Sequence, residues 1–224
     1  MRVAVSHPQK IIGWIDPLSV STDGKDLLLQ TPIGKQRYAP IEPDLLEQVG
    51  GERLLTFRED SQGRVTHAFW GPFAYFKAAW YQTIGFQLPL LVACLVFFVS
   101  ALIAFPVAYL AHRLRGVGSA PSRAASAARW LAGVTGALNL LLAAWFVVSL
   151  LGYAQSYVWP TGTVSAITRL WLLGLPLTLG TVVLAALAWK NSYWNVVSRV
   201  HYTLVALAAV LFIVFLNNWN LIGL

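Results

Sequence analysis

All nine acidic side chains of this chain lie within its first 60 residues: Asp16, Asp23, Asp26, Glu42, Asp44, Glu47, Glu52, Glu59 and Asp60. From residue 61 to residue 224 there is neither Asp nor Glu. An ionised carboxylate in the middle of a bilayer costs on the order of 3 kcal/mol on insertion scales. A long acid-free segment made of apolar runs is therefore what a lipid-dissolved polypeptide requires. The stretch FREDSQGRVTHAF, which contains Asp60, marks the end of the water-adapted part.

Composition points the same way. Only 11% of residues are charged and 57% are hydrophobic, with a mean hydropathy of +0.62, whereas soluble domains carry about 25% charged residues. The net charge of +7 is not a nucleic-acid footprint. Over residues 1–80 the cations balance the acids, and the excess consists of Arg113, Arg115, Arg123, Arg129, Arg169, Lys190 and Arg199. Cations between apolar spans set membrane topology. The lone Cys94 lies inside an apolar run, which excludes an internal disulfide and a cysteine zinc cluster and predicts a buried small residue.

A spanning helix takes about 20 residues, and four stretches qualify, at about 86–110, 130–151, 170–189 and 200–216, the last extended by LNNWNLIGL. Pro106 and Pro176 within the first and third predict kinks. The connections AHRLRGVGSAPSRAASAAR and KNSYWNVVSR carry cations, while GYAQSYVWPTGTVSAITR ends in Arg169 alone. The first and third connections are thus expected in the cytoplasm and both termini outside it. Trp80, Tyr81, Tyr153, Tyr157, Trp159 and Trp219 would then lie at the outer edge, and Tyr109, Trp130, Trp189, Tyr193 and Trp194 at the inner one.

Residues 1–80 read as β structure. Asp23-Gly24 separates two strand-like runs in SVSTDGKDLLLQTP, a hairpin signature. RLLTFREDSQGRVTHAFW gives a second hairpin with Gly63 in its loop. Leu55 and Phe57 alternate with Thr56 and Arg58, and Val65 and His67 with Thr66 and Ala68. PIEPDLLEQVGG, between the hairpins, reads as proline-punctuated with one helical turn. The expected fold class is an α+β membrane protein: a small antiparallel β domain over 1–80, then a four-helix transmembrane bundle over 81–224. A β domain of that size has too little core to stand alone and needs support from the bilayer, the bundle or a partner.

Catalytic patterns are missing from the sequence. No Ser-x-x-Lys occurs; Tyr193-Trp194-Asn195 matches a Tyr-x-Asn triplet but falls in a connection where aromatic residues serve as interfacial anchors. There is no Gly-x-Ser-x-Gly elbow, Walker loop or His-Glu-x-x-His motif. We assign no catalytic, cofactor-binding or metal-binding residue. His112 and His201, at the ends of spans one and four, are the only pair placed to ligate a haem, against the ordinary reading as interfacial histidines. His7 and His67 have no carboxylate cluster around them. Asn139, Thr135, Ser149, Thr178 and Thr181 are the polar residues at depth, suited to bonds between helices rather than to transport. Ala132/Gly136 and Gly133/Ala137 give two small-xxx-small pairs for close helix packing.

The run PIGKQRYAPIEPDLLEQVGGERLLTFREDSQGRVTHAFWGPFAYFKAAWYQTIGFQLPLL is similar to the tail of bacterial β-lactamase-family serine hydrolases of the class C and penicillin-binding-like type. The segment AWKNSYWNVVSRVHYTLVALAAVLFIVFLNNWNLIGL looks like the last membrane passage of the same proteins. The resemblance runs from about Gly24 onward and covers only their accessory portion. It implies a bacterial inner-membrane location and a serine-hydrolase catalytic domain as partner, in cis or in trans, without any catalytic residue here. MRVAVSHPQK lacks an apolar signal region, which fits a longer exported domain upstream. Two functions follow. One is a non-catalytic membrane anchor that holds a small β domain at the bilayer. The alternative is a stand-alone membrane sensor or transport accessory protein, whose ligand would meet the aromatic residues of FWGPFAYF, Phe69 to Phe76. Neither calls for a cofactor or for nucleic acid.

Overall fold

The computed structural model describes residues 2–3, 11, 18–24, 26–31, 34–71, 73–115, 122–156 and 161–222. The chain forms two compact units, Met1–Gln87 and Leu88–Leu224.

The first unit is an antiparallel sheet. Its strands are β1 (Arg2–Val3), β2 (Ser19–Asp23), β3 (Asp26–Thr31), β4 (Gly34–Glu42), β5 (Leu45–Gln48), β6 (Leu54–Glu59), β7 (Val65–Trp70) and β8 (Phe73–Phe76). Strands β2 to β8 meander, each pairing with the next, and β1 adds to the free edge of β8. Both expected hairpins form. Gly24 (φ +65°) and Gly63 (φ +71°) occupy left-handed positions that a side chain would strain. Asp60 closes the second hairpin: its Oδ1 accepts from the backbone N–H of Gln62 (2.8 Å) and Arg64 (3.0 Å), and its Oδ2 from Arg64 Nε (3.0 Å).

One face of the sheet carries the core, formed by Leu18, Leu29, Tyr38, Leu46, Leu55, Ala68 and Tyr75 with Leu27, Phe57 and Trp70 packed against it. The register explains the choice. Leu27 lies opposite Tyr38, Leu46 opposite Leu55, Phe57 opposite Ala68 and Leu55 opposite Trp70, so these side chains share a face. Buried Tyr38 has its hydroxyl fully used: it accepts from Trp70 Nε1 (2.7 Å) and donates to Gln36 Oε1 (3.1 Å). Arg53 stacks over the Trp70 ring at 5.4 Å.

One local expectation changes. PIEPDLLEQVGG has no helical turn; it supplies the end of β4 and all of β5, with a register shift between Pro40 and Glu42. Proline has no N–H for the ladder, and a bulge lets the pairing pass it. In β7 the core-facing residues are Ala68 and Trp70, opposite Phe57 and Leu55, and His67 lies opposite Arg58 on the other face. A second bulge between Arg58 and Glu59 lets Glu59 pair with Val65.

The helices are α1 (Ile84–Arg115), α2 (Arg123–Ser156), α3 (Thr161–Trp171), α4 (Gly174–Lys190) and α5 (Val196–Asn218). With α3 and α4 in line, they make four segments long and apolar enough to cross a membrane, and the chain is a multi-pass membrane protein. Helix α5 is the most enclosed, with 44% of its apolar window buried against 22% for α1. Exposed apolar side chains such as Val96, Ile103, Leu141, Leu179 and Val197 form the lipid-facing coat.

The spans start and stop at sequence features that a hydropathy window does not see. Helix α2 begins at Arg123, so Arg123 and Arg129 are helical rather than part of a loop. The second half of the second connection is α3, whose Val164, Ile167 and Trp171 are buried on one side. Pro106 is carried inside α1, as is Pro89. Pro176 lies in the first turn of α4, where its missing N–H has no helical partner to lose; the break falls before it, at Leu172 and Leu173. Helix α5 does not run on through LNNWNLIGL. Asn220 takes a left-handed conformation (φ +53°) and Leu221 N–H returns to Leu216 C=O (2.8 Å), closing the helix with Leu221 and Ile222 buried. Cys94 is buried as a free thiol.

Candidate functional site

Polar side chains within the bundle form two layers. In the first, Thr135 on α2 and Thr181 on α4 share a hydrogen bond of 3.2 Å. Each hydroxyl also reaches the carbonyl one turn back, Leu131 and Leu177, at 2.8 Å. Asn139 donates from Nδ2 to Thr135 C=O (2.9 Å), and it is fully enclosed. Asn139 Oδ1 and the hydroxyl of buried Thr178 have no hydrogen-bond partner among the described residues. These four belong to the polar residues the sequence placed at depth. The fifth, Ser149, turns back to Trp145 C=O (2.9 Å) instead. The layer ties α2 to α4 through the Thr135–Thr181 contact: two hydroxyl protons face three acceptor positions, so one threonine donates across to its neighbour while the other donates back to its own helix.

The second layer lies toward the end where α1 finishes and α2 begins. Ser100 on α1 lies 2.8 Å from His201 Nε2 on α5 and 2.8 Å from the Phe97 carbonyl. The hydroxyl has one proton for two acceptor positions. If it donates to Phe97, the imidazole must carry its proton on Nε2 and donate to Ser100. The contacts then continue without interruption. His201 meets Phe105 (5.5 Å), Phe105 meets Tyr202 (5.9 Å) and Tyr202 meets Trp194 (5.3 Å). Arg129 stacks on the other ring in the chain of contacts, Trp194, at 4.9 Å. Tyr202, completely enclosed, donates to Ala128 C=O (3.1 Å) and ties α5 to α2.

Several residues singled out by the sequence find their places here. His201 is engaged by Ser100, whereas the His112 side chain lies outside the described residues, as does His7. Among the described residues no group of His, Cys, Asp and Glu could hold a metal ion. Of the Tyr193-Trp194-Asn195 triplet, Tyr193 receives a bond from Asn191 Nδ2 (3.1 Å), Trp194 joins the aromatic layer, and Asn195 caps α5 by accepting from Ser198 N–H (2.9 Å). In the β unit, Phe69 is exposed while Trp70 is anchored to Tyr38, so the FWGPFAYF aromatics divide between solvent and core. Pro72 and the Phe73 side chain lie outside the described residues. Ser100 went unrecognised in the sequence: a single serine in FFVSALIAF is an ordinary helix residue until its partner, about a hundred positions on, is known.

The two small-residue pairs separate. Gly136 faces the α1 backbone, where an added Cβ would come within 3.2 Å of Phe98 O, and Ala132 is fully buried beside it in sequence register. Gly133 has open space around its Cα and lines, with Ala137, a cavity of about 410 Å³ between α1 and α2. Only the Ala132/Gly136 pair brings helices together.

The junction between sheet and first helix is ordered by its own bonds. Residues 77–83 join β8 to α1 through a 3-10 turn, Trp80–Gln82. Gln82 Oε1 accepts from Ala79 N–H (3.2 Å), Thr83 Oγ1 donates to Trp80 C=O (2.7 Å), and buried Gln87 donates from Nε2 to Tyr81 C=O (2.7 Å). Trp80, largely exposed, meets Tyr81 and Phe86 edge-on at 5.8 Å and 5.0 Å. Comparison with protein families, curated proteins and solved structures finds no match to this chain.

Proposed function

We propose that this chain is a non-catalytic membrane anchor that holds a small β domain at the outer surface of a bacterial inner membrane and serves a serine-hydrolase-type catalytic domain, in cis or in trans. The observation that carries the anchoring role is the exposed pair Trp80 and Tyr81 at the start of the first spanning helix, side chains that favour the headgroup region. The bundle supports the same role: the Thr135–Thr181 contact and the bond from Tyr202 to the Ala128 carbonyl cross from helix to helix, which favours a fixed arrangement. The hydrolase partner rests on the resemblance of the sequence.

The proposal is tested with a fluorophosphonate probe on native membranes, followed by cross-linking and isolation of this chain. A labelled hydrolase retained with an unlabelled chain is the expected result. Specific label on the chain itself, or no labelled companion, would sink it.

A further inference from the structure

Beyond the anchoring role, we infer that the cavity between α1 and α2 is a binding site for one anionic phospholipid, with an acyl chain between the helices and the phosphate at Arg129.

Three observations converge on that occupant. The cavity has a graded lining. Because α1 and α2 run in opposite directions across a short connection, Tyr109 and Arg129 gather at the end nearer that connection, and Leu102, Gly133 and Ala137 line the other end. An amphiphile has the same gradient. The volume, about 410 Å³, is made available by a glycine: Gly133 presents no side chain to it and nothing else fills the space. Charge supplies the third. Arg129 lines the cavity and stacks on Trp194, a contact that leaves its full positive charge in place. No Asp or Glu exists between residue 61 and residue 224, so the helical unit offers this guanidinium no carboxylate. Arg129 is in the second turn of α2, within snorkelling reach of a headgroup. A phosphate matches the planar donor fork of arginine and brings the missing negative charge.

The test uses the full chain, delipidated in a mild detergent and titrated with dioleoyl-phosphatidylglycerol or dioleoyl-phosphatidylcholine, with adducts counted by native mass spectrometry. One retained phosphatidylglycerol is expected, bound at least about fivefold more tightly than phosphatidylcholine, the scale of one cation meeting an anionic lipid. Arg129→Gln should abolish that preference while still binding either lipid weakly. Gly133→Leu should fill the slot and remove both. Arg199→Gln, whose guanidinium stacks on Trp189 away from the cavity lining, keeps the preference and reports that the bundle is intact. Equal binding of the two lipids by the unaltered chain, an undiminished preference in Arg129→Gln, or an undiminished adduct in Gly133→Leu would each overturn the assignment. Isolation of a second copy or another polypeptide in stoichiometric amount, lost in Gly133→Leu, would give the cavity to a partner helix and overturn it as well.

Discussion

Asp60, the last carboxylate of the chain, is a turn residue before it is a boundary marker. The backbone N–H of Arg64, then that of Gln62, hold its carboxyl below the ordinary carboxylate value, with desolvation opposing them and the Arg64 side chain adding least. A carboxyl with a depressed folded pKa stabilises its turn fully above the unfolded value, about 4, and loses that contribution as pH falls through the depressed one. We therefore expect amide exchange at Gln62 to Arg64 to be slower in the native chain than in Asp60→Asn at pH 7. The difference should shrink as pH is lowered below about 4. A gap between the two proteins that holds constant down to pH 2 would show that the carboxylate charge has no part in the turn. The residue was legible as the end of the aqueous part. Its Asx-turn geometry was not, because that depends on where the chain places three donors around it.

Elements were read most securely where local chemistry alone selects them. Asp23-Gly24 and Gly63 specify turns through backbone freedom, and both hairpins stand where these residues put them. Spans were recognised by apolar length, since a membrane segment needs only that. Their ends were read less well. Asn195 and Asn220 stop or start α5 through a cap and a reversed backbone, Pro176 opens α4, and α3 occupies what read as a connection. The two glycines of α2 make a direct test of packing at this scale. Gly136→Ala should destabilise the bundle by about 1–3 kcal/mol, the cost of overpacking, because the Phe98 backbone beside it cannot swing away. Gly133→Ala should stabilise it by about 1 kcal/mol, the helix-propensity gain in open space. Unfolding midpoints in a fixed detergent distinguish them, and equal shifts of the same sign would contradict the difference in their surroundings.

For the whole molecule, two solvents act on one chain. Every acid is in the part that contains the sheet, and every helix that faces lipid lacks them. The anchor reading places the sheet outside the cytoplasm and the Arg113-to-Arg129 end inside, following the cations. A reporter active only outside the cytoplasm should therefore give signal when fused after Trp80 and none when fused after Ser119. The reverse pattern would invert the orientation and remove the sheet from the outer surface. No relative supplies this orientation, so the fusion pair is the direct measurement of it.

What the sequence determined by itself is the solvent of each part and the period of its elements, because desolvation and backbone preference act residue by residue. Acid-free apolar runs had to enter lipid, and alternating strands punctuated by Gly had to pair. Tertiary structure decided everything that depends on which residues meet. Ala68 and Trp70 pack opposite Phe57 and Leu55 because a bulge beside Arg58 sets the register of β7. Ser100 finds His201, and Gly136 closes on Phe98 while Gly133 leaves a cavity. In lipid, helices attract one another through packing and hydrogen bonds of small individual strength. No single residue can carry that choice, so it is made only when all the helices are in place.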